Sequence, residues 1–324
     1  MNEANHKPDE PELSVVIAII AGGQEPTATC LEALATSARG LNVECIVPYD
    51  ERLTGVPELA ERFPWVEFVD ARFAVDSGQF GSSSREHHDI LRAIGLSRAR
   101  GRIVALLEDH GIPSLDWIPA TLEAHRGPSS AVGGAVENGV DHLLNWAVYY
   151  CDFGRYQNPV ADGPSEFLSD SNVSYKREVL QGVKHLWLDA FHETSVNWEL
   201  RRLGHTLRLN PRMVVRQVRQ TLRLLPALRE RYVWGRSFAG TRAAEISTLG
   251  RAIFAALSFL LPFLLTFRIV ARGFSKRRYL RKLVCSLPLI FLFEVIWSGG
   301  EFMGYLTGRA EPQRQTKYAQ RRAA

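Results

Sequence analysis

Two short clusters in this chain carry side chains suited to chemistry. Glu108-Asp109-His110 follows the apolar run Ile103–Leu107 and precedes Gly-Ile-Pro-Ser. Two acids and a histidine in a row cannot all be buried unpaired, because burying a lone charge is expensive. Carboxylate oxygens and an imidazole are suitable ligands for a divalent cation, and a cation there would offset charge on a departing phosphate. The alternative is an ordinary polar strand end. The second cluster is His192-Glu193, followed by a helix-like run, Trp198–Leu203, that stops at Gly204. A Glu at a helix start often serves as a cap. A Glu facing a bound hydroxyl is instead a general base.

Three further features accompany these clusters. Ser169-Asp170-Ser171-Asn172 is a polar loop ahead of a short helix, Lys176–Val183. Its Ser171 and Asn172 either hydrogen-bond a sugar or cap that helix. Gly133-Gly134 permits close backbone approach, or forms a plain turn. His87 and His88 read as surface residues, or as residues one layer behind a site, with no metal role. No P-loop, G-x-S-x-G or H-E-x-x-H pattern is present.

The elements that must position these residues alternate along the chain. Leu13–Ile20, Val43–Val47, Val66–Val69, Arg102–Leu107 and Ala131–Val136 are strand runs. Helical spacing falls at Thr27–Ala38, Pro57–Phe63, Ser84–Ala99 and Leu115–His125. Strands alternating with helices predict an α/β fold, a mostly parallel sheet with helices on both faces. Ligands of such sheets bind beyond the carboxyl ends of the strands. Asp50 and Glu108-Asp109-His110 stand at such ends.

The 324 residues are 46% hydrophobic and 23% charged, the balance of a globular chain. A mean hydropathy of −0.11 excludes a many-span membrane protein but permits one or two spans. The four cysteines form no C-x-x-C pair, which argues against a zinc ribbon or disulfide framework. The polar, acidic N-terminus does not read as a secretory signal. The net charge of +4 hides a steep split. Residues 1–200 hold 15 Lys/Arg against 30 Asp/Glu, net −15, and residues 201–324 hold 24 against 5, net +19. A basic half of that size faces nucleic acid or anionic lipid.

Two apolar runs favour lipid. Ala252–Ala271 is 20 residues long with one charge, Arg268, and Leu283–Trp297 is shorter and holds Glu294. Twenty helical residues span about 30 Å, one hydrocarbon core. Between them lie Arg272, Lys276, Arg277, Arg278, Arg281 and Lys282. If both runs span and the acidic half is cytosolic, this basic loop sits outside, against the positive-inside tendency. A re-entrant or in-plane hairpin keeps it against anionic headgroups. A buried hairpin in a soluble domain is the remaining alternative. No nucleic-acid reader motif appears, so no nucleic-acid partner is expected.

Taken in order, the pieces resemble the family 2 glycosyltransferases, which have the GT-A fold. The resemblance covers about Leu13 to Ala239. It rests on LSVVIAII, VPYDE, LRAIGLSRARGRIVALLEDHGIPSLDW, SDSNVSYKREVL, HETSVNWELRRLGHTL and RERYVWGRSFAG. The resemblance implies that Asp50 contacts the donor nucleotide and that Arg92 lies near its diphosphate. It puts Glu108, Asp109 and His110 at the D-x-D positions, with Asp109 and His110 holding Mg2+ or Mn2+. His110 stands in place of the usual last Asp. Glu193 stands where that family's catalytic Asp sits, and His192 replaces the Glu before it. Gly134, Ser171, Asn172 and Trp234 are the expected acceptor or sugar contacts.

The implied activity is inverting transfer of a hexosyl group from a nucleotide sugar to a membrane-proximal or lipid-linked glycan acceptor. It belongs to polysaccharide or glycolipid assembly, at the cytosolic face of the cytoplasmic membrane. The alternatives are a polyprenyl-phosphate glycosyltransferase and a non-catalytic nucleotide-sugar-binding assembly subunit. The expected organisation is a loose acidic N-terminus (1–12), a GT-A-like domain (13–240), membrane-associated helices (250–306) and a basic tail (307–324).

Overall fold

The computed structural model describes residues 10–19, 24–49, 55–71, 85–219 and 222–309. They divide into two compact units, residues 1–139 with 156–219, and residues 140–155 with 220–324. The expected boundary between 240 and 250 falls inside the second unit.

The first unit opens with β1 (Leu13–Ala18), α1 (Gln24–Ser37), β2 (Val43–Tyr49), α2 (Val56–Arg62), β3 (Val66–Asp70), α3 (Arg85–Arg98) and β4 (Ile103–Glu108). After β4 come β5 (Gly111–Pro113), α4 (Trp117–Ala124) and β6 (Ala131–Asn138). Helix α5 (Leu143–Asp152) belongs to the second unit. The first then resumes with β7 (Gly163–Pro164), β8 (Asn172–Lys176), α6 (Arg177–Gly182), α7 (Glu193–Arg202) and β9 (Leu207–Gln217).

The sheet order is β3-β2-β1-β4-β8-β6-β9-β5, with β7 paired to β9. β1 to β4 run parallel, and β6 and β9 run parallel to each other. β8 lies antiparallel between β4 and β6. The expected mostly parallel α/β sheet is therefore present, with a reversed strand at its centre.

β1 is apolar throughout except Ser14 because both of its faces are covered. Leu13, Val15 and Ile17 pack with Cys30, Leu31 and Leu34 of α1. Val16, pointing the other way, packs with Leu96 of α3 and with Val104 and Leu106 of β4. This is the two-residue period of a strand. α3 lies so close that a Cβ on Gly95 would overlap the Val16 side chain. That approach fixes the helix that carries Arg92.

Four strands were not read from the sequence. β8 occupies Asn172–Lys176, where a polar loop and then a helix from Lys176 were expected; the helix starts one residue later. β9 was hidden by Pro211, which breaks the alternating pattern. The register between β6 and β9 jumps at this point, pairing Gly134 with Asn210 and Ala135 with Val214. Residues 211–213 form the bulge, and the Met213 carbonyl crosses directly over Gly134.

The second unit holds α5, α8 (Leu224–Ala243), α9 (Thr248–Leu257), α10 (Leu261–Lys276) and α11 (Leu280–Thr307). Residues Thr248–Lys276 and Leu280–Thr307 are long and apolar enough to cross a membrane by length and composition. α8 packs along α11 through glycines. A Cβ on Gly235 would overlap the Trp297 carbonyl, and one on Gly300 the Tyr232 carbonyl. Arg231 of α8 is buried and pairs with Asp152 of α5 at 2.5 Å.

Gly134→Ala is expected to destabilise the chain by about 3 kcal/mol or more, because the added methyl meets backbone that cannot retreat. Gly182→Ala, with nothing within 4 Å of its Cβ position, is the control and should leave the urea midpoint unchanged.

Candidate functional site

Four elements bring charge to one place. On α3, Asp89 and Arg92 are three residues apart and so share a helix face. Glu108 ends β4, Asp170 precedes β8, and Glu193 opens α7. The Arg92 guanidinium is buried among them, only 3% exposed. Its Nη1 lies 3.0 Å from Asp89 Oδ1 and 3.0 Å from Asp170 Oδ2, and its Nη2 lies 3.2 Å from Glu108 Oε1. Burial opposes its charge. The carboxylates of Asp170, Asp89, Glu108 and Glu193 overcome that cost and hold it protonated beyond the usual arginine range.

Glu108 meets three partners. Beyond Arg92, its Oε2 accepts a hydrogen bond from Gln217 Nε2 at 3.0 Å and lies 3.4 Å from His110 Nε2. Burial raises its carboxyl above the ordinary value, offset only in part by His110 and Arg92. His110 is buried too, and its Nδ1 lies 3.0 Å from Asp109 Oδ1. Burial pulls its imidazolium down, but the Asp109 hydrogen bond and the charges of Glu108 and Asp109 lift it above the usual histidine value.

These contacts bear on the expected cation. A histidine ligates through a nitrogen lone pair, yet both His110 ring nitrogens face carboxylates. Asp109 is wholly buried and turned to His110. Among the described residues no three His, Cys, Asp or Glu side chains stand where they could share one ion. In this arrangement the residues present do not fit a resident metal.

Glu193 is half-buried in the first turn of α7, where the helix dipole favours a carboxylate. Its Oε2 accepts a hydrogen bond from the Asp170 N–H at 3.1 Å. Beside it, His192 is exposed, with its Nδ1 3.0 Å from Asp89 Oδ2. Asp89 also accepts at its main chain, from Phe191 N–H at 2.9 Å. One acid of α3 therefore ties down the loop that delivers His192 and Glu193. The arrangement can hold a carboxylate poised to take a proton, over a buried cluster of acids that share one guanidinium.

Other expected site residues take different places. Asn172 is fully buried. Its Oδ1 accepts from Trp117 Nε1 at 2.8 Å, and its Nδ2 donates to the Ala135 and Met213 carbonyls, both at 2.9 Å. Ser171 is also wholly buried, with its Oγ 2.8 Å from Ser169 Oγ. Together with Gly134 these residues form the frame under the site. Trp234 lies on α8 of the second unit, where Arg231 approaches its ring at 5.9 Å. Asp50 lies outside the described residues. The surface reading of His87 and His88 is corrected, since both are buried. Burial, with Arg92 and His87 adding to it, pushes His88 down to about 3, so it is neutral.

Asp89, Asp170 and Gln217 were missed. Asp89 had a signal, its i,i+3 spacing to Arg92. Gln217 had one too, since Met213, Val215 and Gln217 continue one buried row of β9. Asp170 lay inside the polar loop already singled out. Arg219, half-buried just beyond β9, was also passed over; its charge reaches His110.

No protein-family model matches the chain, and no curated protein is similar to it in sequence. Solved structures do share its architecture. The mannosyltransferase PcManGT from Pyrobaculum calidifontis, in complex with GDP-Man and Mn2+, aligns over 92% of this chain and 89% of its own, with 13% identity and a TM-score of 0.54. S. aureus TarS (residues 1–349) aligns over 70% of this chain with 12% identity and a TM-score of 0.45; this chain spans 64% of that one. A mycobacterial protein aligns over 69% of this chain and 73% of its own, with 15% identity and a TM-score of 0.45. At these identities the likeness is one of fold, and the fold is one that a mannosyltransferase uses.

Removing the central cation takes away the one partner that three inward-facing acids share. Arg92→Met should cost about 3–5 kcal/mol of stability at pH 7.5. Burial already raises the Glu108 carboxyl above its unfolded value, and losing Arg92 raises it further. The deficit relative to the parent should therefore shrink as pH falls toward 5. Urea unfolding of both proteins at the two pH values reads this directly.

Proposed function

We propose that this chain is an inverting glycosyltransferase that uses a nucleotide-sugar donor, with Glu193 as its general base. The observation that carries the reading is the placement of Glu193. It lies at a helix N-terminus, is held by the Asp170 N–H, and stands beside a charge cluster beyond the carboxyl end of β4. The likeness in fold to a mannosyltransferase complexed with GDP-Man supports it.

In the proposed reaction an acceptor hydroxyl attacks the anomeric carbon of the donor. Glu193 takes the hydroxyl proton as the new C–O bond forms. The bond from that carbon to the diphosphate breaks, and the electron pair leaves with the diphosphate. A single displacement of this kind inverts the anomeric carbon. Arg92 keeps Asp89, Glu108 and Asp170 from presenting three bare negative charges to an anionic donor. Arg219 is proposed to meet the diphosphate. The acceptor is proposed to be a membrane-proximal or lipid-linked glycan, reached from the cytosolic face of the cytoplasmic membrane.

The Mn2+ of the mannosyltransferase comes to this chain only as a proposal. Asp109 and His110 would have to release each other to hold an ion, and no step above uses one.

Glu193→Gln is expected to lower transfer at least about a thousandfold while donor binding by calorimetry stays within threefold. Unchanged turnover would sink the assignment. Donor binding by the parent with no transfer to any acceptor would favour a non-catalytic binding subunit. Arg219→Ala should raise the donor KM at least about tenfold, with Arg219→Lys recovering part of the loss. Given the His110 contacts, donor binding is expected to persist in EDTA. A tenfold loss there would show that a cation is required.

A further inference from the structure

The second unit carries an apolar face, a polar covering and two basic ends, and their arrangement selects one kind of partner. Leu249 on α9, Phe259 in the turn between α9 and α10, and Phe263 and Phe267 on α10 are each about two-thirds exposed. On α11 the exposed apolar positions include Val284, Phe291, Leu292, Val295 and Leu306, which fall on one side of the helix. The two rows meet, because the rings of Phe263 and Phe291 are 5.4 Å apart. Exposed aromatic rings in one merged face are not the surface of a soluble domain.

The other side of α11 is covered by α8 and α5. Contact with α8 is at backbone distance from Trp297 to Gly304; a Cβ on Gly304 would stand 2.5 Å from the Arg236 carbonyl. α8 carries Arg229, Glu230, Arg231, Arg236 and Arg242, and of these Arg231 and Arg236 stand opposite this stretch. α5 brings Asp152 to Arg231, and the Asp141 side chain just before it pairs with Lys282 at 2.5 Å. If α11 crossed a bilayer, α8 would have to cross with it. Each arginine near the centre of the hydrocarbon costs about 2.5–3.5 kcal/mol on insertion scales.

Both ends of the hairpin are basic. The turn between α10 and α11 holds Arg277 and Arg278, and Arg281 follows in the first turn of α11. At the far end Arg251 donates from Nε to the Tyr305 carbonyl at 3.1 Å, with Arg309 close by in sequence. A spanning hairpin would place one of these groups on the opposite side of the membrane.

We propose that the second unit is a monotopic anchor for an anionic lipid surface. The α9–α10–α11 face lies in the plane of one leaflet, both basic ends engage headgroups of that leaflet, and neither apolar helix crosses. An in-plane helix pair of this kind inserts about 5–10 Å. The inference does not rest on the transferase reading, and its test involves no turnover.

The experiment uses the full chain with Cys285→Ser and either Ser275→Cys at the end of α10 or Arg309→Cys beyond α11. It is expressed in a bacterial host whose membranes are prepared as sealed vesicles of both orientations. A membrane-impermeant maleimide should label both positions from the cytosolic face and neither from the opposite face. Labelling of the two positions from opposite faces, or recovery of the chain in the soluble fraction without detergent, would overturn the proposal. Purified Phe263→Glu/Phe267→Glu protein, with unchanged circular dichroism, should bind vesicles of phosphatidylcholine and phosphatidylglycerol at least about tenfold more weakly. Arg277→Glu/Arg278→Glu should lose at least about tenfold of the preference for those vesicles over pure phosphatidylcholine. Binding unchanged in both variants, or a soluble dimer that Phe263→Glu dissociates, would equally overturn it.

Discussion

The first unit depends on one buried cation. Arg92 reaches carboxylates from α3, from the end of β4 and from the segment before β8. Each of those acids alone would resist burial, and together they would repel. With the guanidinium among them, three segments far apart in sequence can meet at one point. A guanidinium suits the task because its planar fork offers several donors in fixed directions. A lysine ammonium is a point charge and would satisfy fewer of the acids at once.

The consequences run outward from that point. Asp170 is held by Arg92, and its N–H in turn holds Glu193. Asp89 is held by Arg92, and it holds His192 and the Phe191 amide. The carboxylate proposed as base is therefore oriented by backbone and by paired charge. A second, smaller arrangement stands next to it, where His110 lies between Glu108 and Asp109. A histidine at this position does what an aspartate could not. It places a ring nitrogen against each of two acids.

The apolar part of this fold was legible in the sequence. LSVVIA and IVALL could only be strands covered on both faces, and the five strand runs read from the sequence are β1, β2, β3, β4 and β6. β8 and β9 were not legible, because their signals were mixed with other duties. Asn172 and Ser174 of β8 are polar yet fully buried, with partners supplied by strands and helices distant in sequence. Pro211 breaks the pattern of β9 where the bulge wraps Gly134. The site was half legible for the same reason. Acids at strand ends and at a helix start stand out locally, so Glu108 and Glu193 could be read. Asp170 and Gln217 matter only through Arg92 and Glu108, partners 78 and 109 residues away. The burial of His87 and His88 was hidden because α3 is covered on faces that the polar run REHHD does not advertise.

The second unit shows why composition alone left its topology open. Two helical stretches, α9 with α10 over 29 residues and α11 over 28, have the length and the apolar content of membrane spans. Length and hydropathy describe a helix as if it were alone, and α11 is not alone. Gly300 and Gly304 bring α8 against it at backbone distance, a seam that no side chain could enter. The environment of α11 is then set by its neighbour as much as by its own residues. α8 carries Arg229, Arg231, Arg236 and Arg242, and it covers the buried side of α11. The exposed aromatic rings remain on the other side. Glycine packing, a feature of the α8–α11 interface, thus decides which face of α11 is left open.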